Sequence, residues 1–339
     1  MFTTAVLLLV LIGTLVAQIV LLVIMLKLGA RWAKIPGVTT GRALLATVIV
    51  LVAQSITSVA SSAYKPTTRG MAIIAALITL GWLIALSVLV IKVLLRTSAW
   101  QAFRAWLPTL LVGVIGLLSV FLVFRPYLCE AFVMPTNSMA PTILGKHFTE
   151  VCPTCGKPAF GSPPRDHEYP DGQPMICEGF HVHTTKTVSK LGEEDRFLVM
   201  KILRLQRWDL IAFRFPADPT TNYVKRLVGL PGEEVFIKDG SVWINGQRLE
   251  PPKSLEGLKY VTEFPNAPFL PKVWGTPERP ARLGAGEYFV LGDFSQQSAD
   301  SRLWETGAPS HPSYAVPESY IIGVVTHIFW PPSRWRSLR

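Results

Sequence analysis

Apolar residues dominate four long runs in the first third of the chain, roughly Ala5 to Leu26, Ala43 to Tyr64, Met71 to Leu95 and Leu107 to Phe124. Each approaches the about 20 residues that a helix needs to cross a hydrocarbon core. The first run lacks a basic n-region and an Ala-x-Ala exit, and three more follow it, so it reads as a span rather than a secretory signal peptide. After residue 131 the pattern changes to short segments rich in Val, Ile, Phe and Tyr: Phe197 to Leu203, Asp209 to Phe215, Asn222 to Leu230, Glu234 to Ile237, Ser241 to Ile244, Glu287 to Leu291 and Tyr320 to Trp330. Lys238-Asp-Gly240 and Asn245-Gly246 read as tight turns between strands. No long helical period recurs, so an antiparallel β domain is expected. Two stretches, Gly145 to Glu194 and Leu249 to Gly286, read as insertions or long loops.

These patterns predict a multi-pass α-helical membrane region over 1–128. A mostly antiparallel β domain follows over 129–339, with a Cys/His-rich insertion at 145–194 and a Pro/Gly-rich one at 249–286. Charge supports the division. Ten of the 33 basic residues precede Cys129, where there is no Asp or Glu, leaving 23 basic residues to balance all 23 acidic ones. A basic surface confined to loops between apolar runs argues against nucleic acid as a partner and for a lipid bilayer. The loops after the first and third spans carry Lys27, Arg31, Lys34 and Arg42, and Lys92, Arg96 and Arg104, whereas the second has Lys65 and Arg69. The positive-inside rule then puts the first and third loops in the cytoplasm and the β domain outside it.

Between the two regions lies Phe132-Val-Met-Pro-Thr-Asn-Ser138-Met-Ala-Pro-Thr-Ile-Leu144, a serine beside a proline turn. None of the six histidines, His147, His167, His181, His183, His311 and His327, forms a convincing triad with it. A serine nucleophile can instead use a lysine as base. The best candidate is Lys225, in Asn222-Tyr-Val-Lys-Arg-Leu-Val-Gly-Leu-Pro-Gly232. Within a strand, one member of the Lys225-Arg226 pair should point to the core. Burial lowers a lysine pKa and leaves a neutral amine able to accept a proton, which a guanidinium cannot do.

Three segments together resemble the diagnostic boxes of bacterial signal peptidase I (leader peptidase). They are Ser138-Met139-Ala-Pro141-Thr142, Tyr223-Val-Lys225-Arg226-Leu-Val-Gly229-Leu-Pro231-Gly232 and Gly292-Asp293-Phe-Ser-Gln-Gln-Ser298-Ala-Asp300-Ser301-Arg302. Ile321-Ile-Gly323 to Trp330-Pro331 also looks like that family's last strand. The resemblance implies a membrane-bound serine endopeptidase with Ser138 as nucleophile and Lys225 as general base. It implies Thr136 and the Ser138 amide at the oxyanion, Ser298 orienting the lysine, and Gly292, Asp293, Asp300 and Arg302 in support. It further implies secretory preproteins as substrates and an extracytoplasmic site on the bacterial inner membrane. A monomer is expected, with no cofactor for catalysis. Phe132, Val133, Met134 and Met139 become pocket or membrane-contact candidates. Two residues depart from the family's pattern: Asn137 stands where many relatives have Gly, and Phe294 where Asn is usual. Two other readings stand beside this one. They are a specialised or weakened Ser-Lys endopeptidase of the same fold, and a non-enzymatic envelope protein whose β domain binds partners.

The cysteines carry separate chemistry. Cys152-Pro-Thr-Cys155 is followed by Cys177-Glu-Gly-Phe-His181-Val-His183. Three thiolates and one imidazole would complete a tetrahedral structural zinc site, with His181 or His183 as the fourth ligand. A disulfide is the competing outcome in an oxidising compartment. Cys152 and Cys155 are too closely spaced for an ordinary structural one. Cys129 reads as a packed small residue.

Overall fold

The structure, a computed structural model, describes residues 2–64, 66–163, 172–186, 191–264 and 273–339. Lys65, His167 and residues 265–272 of the Pro/Gly-rich stretch lie outside the described residues. The chain divides into two compact units, Met1–Val123 and Phe124–Arg339.

The first unit contains α1 (Phe2–Trp32), α2 (Thr40–Ser62), α3 (Arg69–Leu95), α4 (Ala99–Trp106) and α5 (Leu110–Ser119). Thr39, Thr68 and Ser98 cap α2, α3 and α4 with their side chains, so each start is written locally in the sequence. Small residues let these helices approach closely. Ala30, Ala43, Ala102 and Ala105 are buried at the contacts, and a Cβ on Gly29 would collide with the Ala105 carbonyl. Elsewhere large apolar side chains point outward, among them Ile56, Val59, Leu77 and Ile78. Among the described residues four helical segments are long and apolar enough to cross a membrane: Ile12–Trp32, Thr40–Ser61, Arg69–Leu95 and Ala99–Leu128. Such an outward apolar surface calls for lipid around it. The fourth segment differs from the expected Leu107 start. A Ser98/Gln101 capping box begins the helix at Ala99, and the segment continues through a 3-10 turn at Leu107–Thr109. Arg104 therefore sits within a helix, over the Trp100 ring, and not in a loop.

The second unit is almost entirely β. Its strands are β1 (Cys129–Val133), β2 (His147–Val151), β3 (Pro158–Gly161), β4 (Gln173–Cys177), β5 (Val182–Thr185), β6 (Leu191–Gly192), β7 (Arg196–Met200), β8 (Leu210–Phe215) and β9 (Asp218–Gly229). They continue with β10 (Glu234–Lys238), β11 (Ser241–Ile244), β12 (Gln247–Arg248), β13 (Ala281–Arg282), β14 (Glu287–Leu291), β15 (Val316–Pro317), β16 (Ile321–Trp330) and β17 (Arg336–Ser337). Every ladder between them is antiparallel. The main sheet runs β1-β7-β16-β8-β9-β14-β15, with β17 added on β16. β12-β11-β10-β13 forms a second sheet, and β5-β4-β3-β2-β6 a third. The turns at Asp239-Gly240 and Asn245-Gly246 have positive φ at both positions, the geometry that suits a right-twisted hairpin.

The described residues of both stretches, read as insertions or long loops, are structured. Those of 145–194 contribute the whole third sheet. The Pro/Gly-rich stretch supplies Tyr260, Ala281 and Leu283 to a core shared with Val228, Val235 and Phe289. Neither stretch alternates cleanly enough for a strand pattern to stand out. Their apolar residues are isolated between prolines and glycines, and burial comes from partners distant in sequence.

Candidate active site and thiol cluster

Ser138 lies in the turn after β1, where the Ala140 amide donates to the Asn137 carbonyl at 2.9 Å. The Phe294 amide donates to the Ser138 carbonyl at 3.1 Å, fixing the turn to the segment after β14. Lys225 comes from β9, paired opposite Ile211 of β8. Its Nζ is 2.8 Å from Ser138 Oγ and 3.2 Å from the Val224 carbonyl. Thr136 Oγ1 is 3.3 Å from Ser138 Oγ. Ser138 and Lys225 are 7% and 4% exposed, so a charged amine there is poorly solvated. Burial lowers the Lys225 pKa to about 8, although Asp300 and Asp293 pull the other way.

The two serine and lysine segments border a cleft of about 500 Å³. Phe132, Val133, Met134, Thr136, Thr221, Tyr223 and Gln297 line it, together with Ser162 and Pro163 from the end of β3. Met139 does not; it is fully buried in the core beside Met134 and Ile143. No histidine or carboxylate lines the cleft among the described residues, and Lys225 is its one amine. β1 is an edge strand, and β9 pairs with β14 only from Arg226 onward. Both strands therefore offer unpaired backbone to the cleft.

Lys225 and Arg226 are both buried, whereas a one-sided strand would bury one of them. β9 has protein on both faces. Arg226 turns away from the serine and makes a two-pronged pair with Asp293, at 2.7 and 2.5 Å, and also donates to the Trp208 carbonyl. Thr142 donates to the same carboxylate at 2.5 Å. A second buried pair joins Asp300 and Arg302, each fully inaccessible. Asp300 accepts from the Gly292 amide at 2.9 Å, and Arg302 donates to Ser295 and to the Val261 carbonyl. Val261 belongs to the Pro/Gly-rich stretch, which thus closes over this pair. Gly292 has no room for a side chain, since a Cβ would strike Ser298 and the Ser138 carbonyl.

The bond expected from Ser298 to the lysine is not formed. Among the described residues Ser298 Oγ is buried without a hydrogen-bond partner, pressed against Gly292, while Nζ is directed to Ser138 and Val224. Sequence reasoning missed Tyr223, whose ring lies 5.2 Å from Nζ. It named Asp293 as a support residue but missed its pairing with Arg226 and Thr142. Tyr223 stands two residues before Lys225 on the same strand face, and that spacing was the available signal.

The departures from the family's pattern have partners in the third sheet. Asn137 Nδ2 donates to the Lys146 carbonyl at 2.6 Å, and its Oδ1 accepts from the Gly145 amide at 2.8 Å. Phe294 is fully buried against Phe160 and Ile176 of β3 and β4, with Ala140 and Leu144. At the far end of that sheet, the β2–β3 and β4–β5 turns bring Cys152, Cys155, Cys177 and His181 together, their ligand atoms all within 4.8 Å of one another. This cluster has the donor set to hold a metal ion. His183 is not part of it; it lies on β5 opposite Met175 of β4, with both ring nitrogens buried and without a partner among the described residues. All four cysteines are free, and Cys129 is half-buried in β1 opposite Met200.

Comparison with known proteins agrees with this architecture. The family described as "Signal peptidase, peptidase S26" matches residues 173–330, a segment that holds Lys225, Asp300 and Arg302. Signal peptidase I of Pseudomonas fluorescens is 28% identical over 230 residues, covering 63% of this chain and 70% of that protein. The Pseudomonas aeruginosa signal peptidase I is 29% identical over 237 residues, covering 65% and 72%. That of Leptolyngbya laminosa is 32% identical over 172 residues, covering 47% and 72%. The class is that of a peptidase with a general role in secretion, here carrying helices suited to a bilayer. The chain belongs to the signal peptidase I family.

Proposed function

We propose that this chain is a membrane-bound serine endopeptidase that removes N-terminal signal peptides from exported preproteins with a Ser138–Lys225 dyad. One observation carries the reading: a buried lysine amine 2.8 Å from a serine hydroxyl, in a cleft that offers no other base among the described residues. Neutral Lys225 takes the Ser138 proton as Oγ attacks the scissile carbonyl. The Thr136 hydroxyl and the Ser138 amide stabilise the oxyanion. The ammonium then protonates the leaving amine, and a water deprotonated by Lys225 hydrolyses the acyl-enzyme. Every step is a proton transfer or an attack by these groups, so no cofactor is required for catalysis.

A substrate segment lies extended in the cleft as an added strand, bonding to the unpaired edges of β1 and β9. The third sheet's Ser162 and Pro163 bound it opposite Tyr223. The four apolar segments cross the bacterial plasma membrane. The basic loops after the first and third face the cytoplasm, which puts the β unit on the extracytoplasmic side. There it meets preproteins just beyond their own apolar segment.

The test is cleavage of a purified preprotein by the full chain in detergent or liposomes. Ser138→Ala and Lys225→Met should each lower kcat/KM by at least about a thousandfold while the protein stays folded. A wild type without activity, or a Lys225→Met variant that keeps it, would sink the dyad. Cleavage of only a narrow set of preproteins would favour the specialised endopeptidase instead.

A further inference from the structure

The third sheet is small, and its own apolar interior is little more than Ala159, Met175 and the cysteines Cys152 and Cys177. An isolated element of this size does not bury enough apolar surface to hold its shape, and comparable natural modules add a staple. The four clustered side chains are placed where a staple would act. Because β2, β3, β4 and β5 alternate in direction, the β2–β3 and β4–β5 turns fall at one end of the sheet. Each is a tight knuckle. The Gly156 amide donates to the Cys152 carbonyl at 2.9 Å in the first, and the Phe180 amide to the Cys177 carbonyl at 2.8 Å in the second.

The spacing fits a tetrahedral ion. Cys155 Sγ and Cys177 Sγ are 3.5 Å apart, and Cys177 Sγ is 3.6 Å from His181 Nδ1. A zinc ion with metal–sulfur bonds of about 2.3 Å separates its ligand atoms by roughly 3.5 to 3.8 Å. A disulfide needs about 2.0 Å, and pairing any two thiols would leave the third beside an imidazole with nothing to bind. A backbone amide also aims at one sulfur: Gly179 donates to Cys177 Sγ at 3.3 Å, the kind of outer contact that orients a ligating thiolate.

We propose that Cys152, Cys155, Cys177 and His181 hold one divalent cation of the zinc class, and that this ion positions the third sheet as a wall of the catalytic cleft. The ion lies a strand length, roughly 15 Å, from the cleft end of the sheet, so it acts by position and not in the reaction. Three contacts transmit the position. The Asn137 side chain, next to the nucleophile, is bonded on both its oxygen and its nitrogen to the backbone where the sheet begins. Phe294, next to the Asp293 carboxylate, is packed under Phe160 and Ile176. A third contact, Ser162 Oγ to Gln297 Oε1 at 3.0 Å, ties the cleft end of the sheet to the loop that carries Ser298. The two departures from the family's pattern are thereby accounted for: each is a residue that fits the active-site turn to the metal-held sheet.

The positioning half rests on the proposed dyad; the metal half does not. The experiment begins with metal analysis of the full chain purified in detergent without added chelator, with the thiols titrated in parallel. One zinc per chain is expected in wild type and in Ser138→Ala, with zinc lost in Cys177→Ser and kept in His183→Ala and His181→Cys. Because Cys177→Ser could fail to fold, wild type is also stripped by a chelator and reloaded. Stripping should expose the sheet to limited proteolysis and lower preprotein kcat/KM by tenfold or more. Zinc or cadmium should restore both, cadmium with a thiolate charge-transfer absorption, and magnesium neither. Absence of metal, or recovery of the thiols as a disulfide, overturns the assignment. Metal removal that leaves proteolysis and cleavage unchanged overturns the positioning role. A zinc-loaded wild type that cleaves nothing counts against the dyad and leaves the metal assignment standing.

Discussion

The main sheet and the Cys/His-bearing sheet solve the same problem, holding loops in fixed positions, by opposite means. The main sheet is large enough to bury ion pairs. Asp300–Arg302 and Arg226–Asp293 sit inside it with their hydrogen bonds satisfied, and between them they fix Gly292, Ser295 and the strand that carries Lys225. The smaller sheet has neither a large apolar interior nor a buried ion pair among its described residues. Its ordered feature is four side chains of a metal-ligand type clustered at one end and a handful of aromatic and aliphatic groups turned toward the catalytic turn. Charge is affordable inside a unit whose apolar core already compensates for desolvation. A module without that core gains more from a few strong bonds at its turns.

The comparison breaks most visibly if a buried pair is split. Asp293→Ala strands the Arg226 guanidinium inside the main sheet, and the expected loss is about 3–5 kcal/mol of stability, read as a fall in unfolding temperature. Bound metal should be unaffected until the chain unfolds. A loss of less than about 1 kcal/mol would mean that solvent reaches Arg226 and the pair is not the brace described here.

Next in size is the joint between the sheets. Phe294→Asn restores the residue usual in the family, yet here it removes a fully buried ring from Phe160 and Ile176 and puts an amide in its place. Stability should fall by about 3 kcal/mol, the scale of truncating a core phenylalanine. A neutral result in thermal or chemical unfolding would separate the two sheets energetically.

The smallest effect follows from the solvation of one amine. With the Lys225 pKa pushed down to about 8 by burial, the competent form accumulates as pH rises. The kcat/KM should climb about tenfold per unit below pH 8 and level off above it. The ordinary lysine value is 10.5, so the folded state releases this proton before the unfolded state does. Its contribution to stability therefore rises between about pH 8 and 10.5, and Lys225→Met removes that rise. An activity plateau already reached at pH 6 would show a different group acting as base.

Much was legible in the sequence because the signals are local. Hydropathy located the apolar segments, and alternation with turn residues located β8 to β11, β14 and β16 to within a few residues. The pattern failed at 145–194 and 249–286, where short strands broken by prolines and glycines become recognisable only through their pairing. It also failed at the start of the fourth segment, where an amphipathic turn with Arg104 was read as loop. Ser138, Lys225, Thr136 and the thiol cluster were named from spacing and family resemblance, with His181 as the more compact fourth ligand and His183 as its alternative. The place of Tyr223, Ser162 and Gln297 in the cleft, the state of Ser298 and the second buried side chain on β9 were not.

What the sequence alone determined is the inventory: which segments are apolar, which turns are tight, and which hydroxyl, amine and thiols are available. Those follow from residue type and spacing along the chain. The tertiary structure decided who meets whom. Ser138 and Lys225 are 87 residues apart, and Asn137 and Phe294 acquire a purpose only when a separate sheet packs against them. Proximity of this kind depends on burial and pairing summed over the whole fold, and no single stretch of chain encodes it.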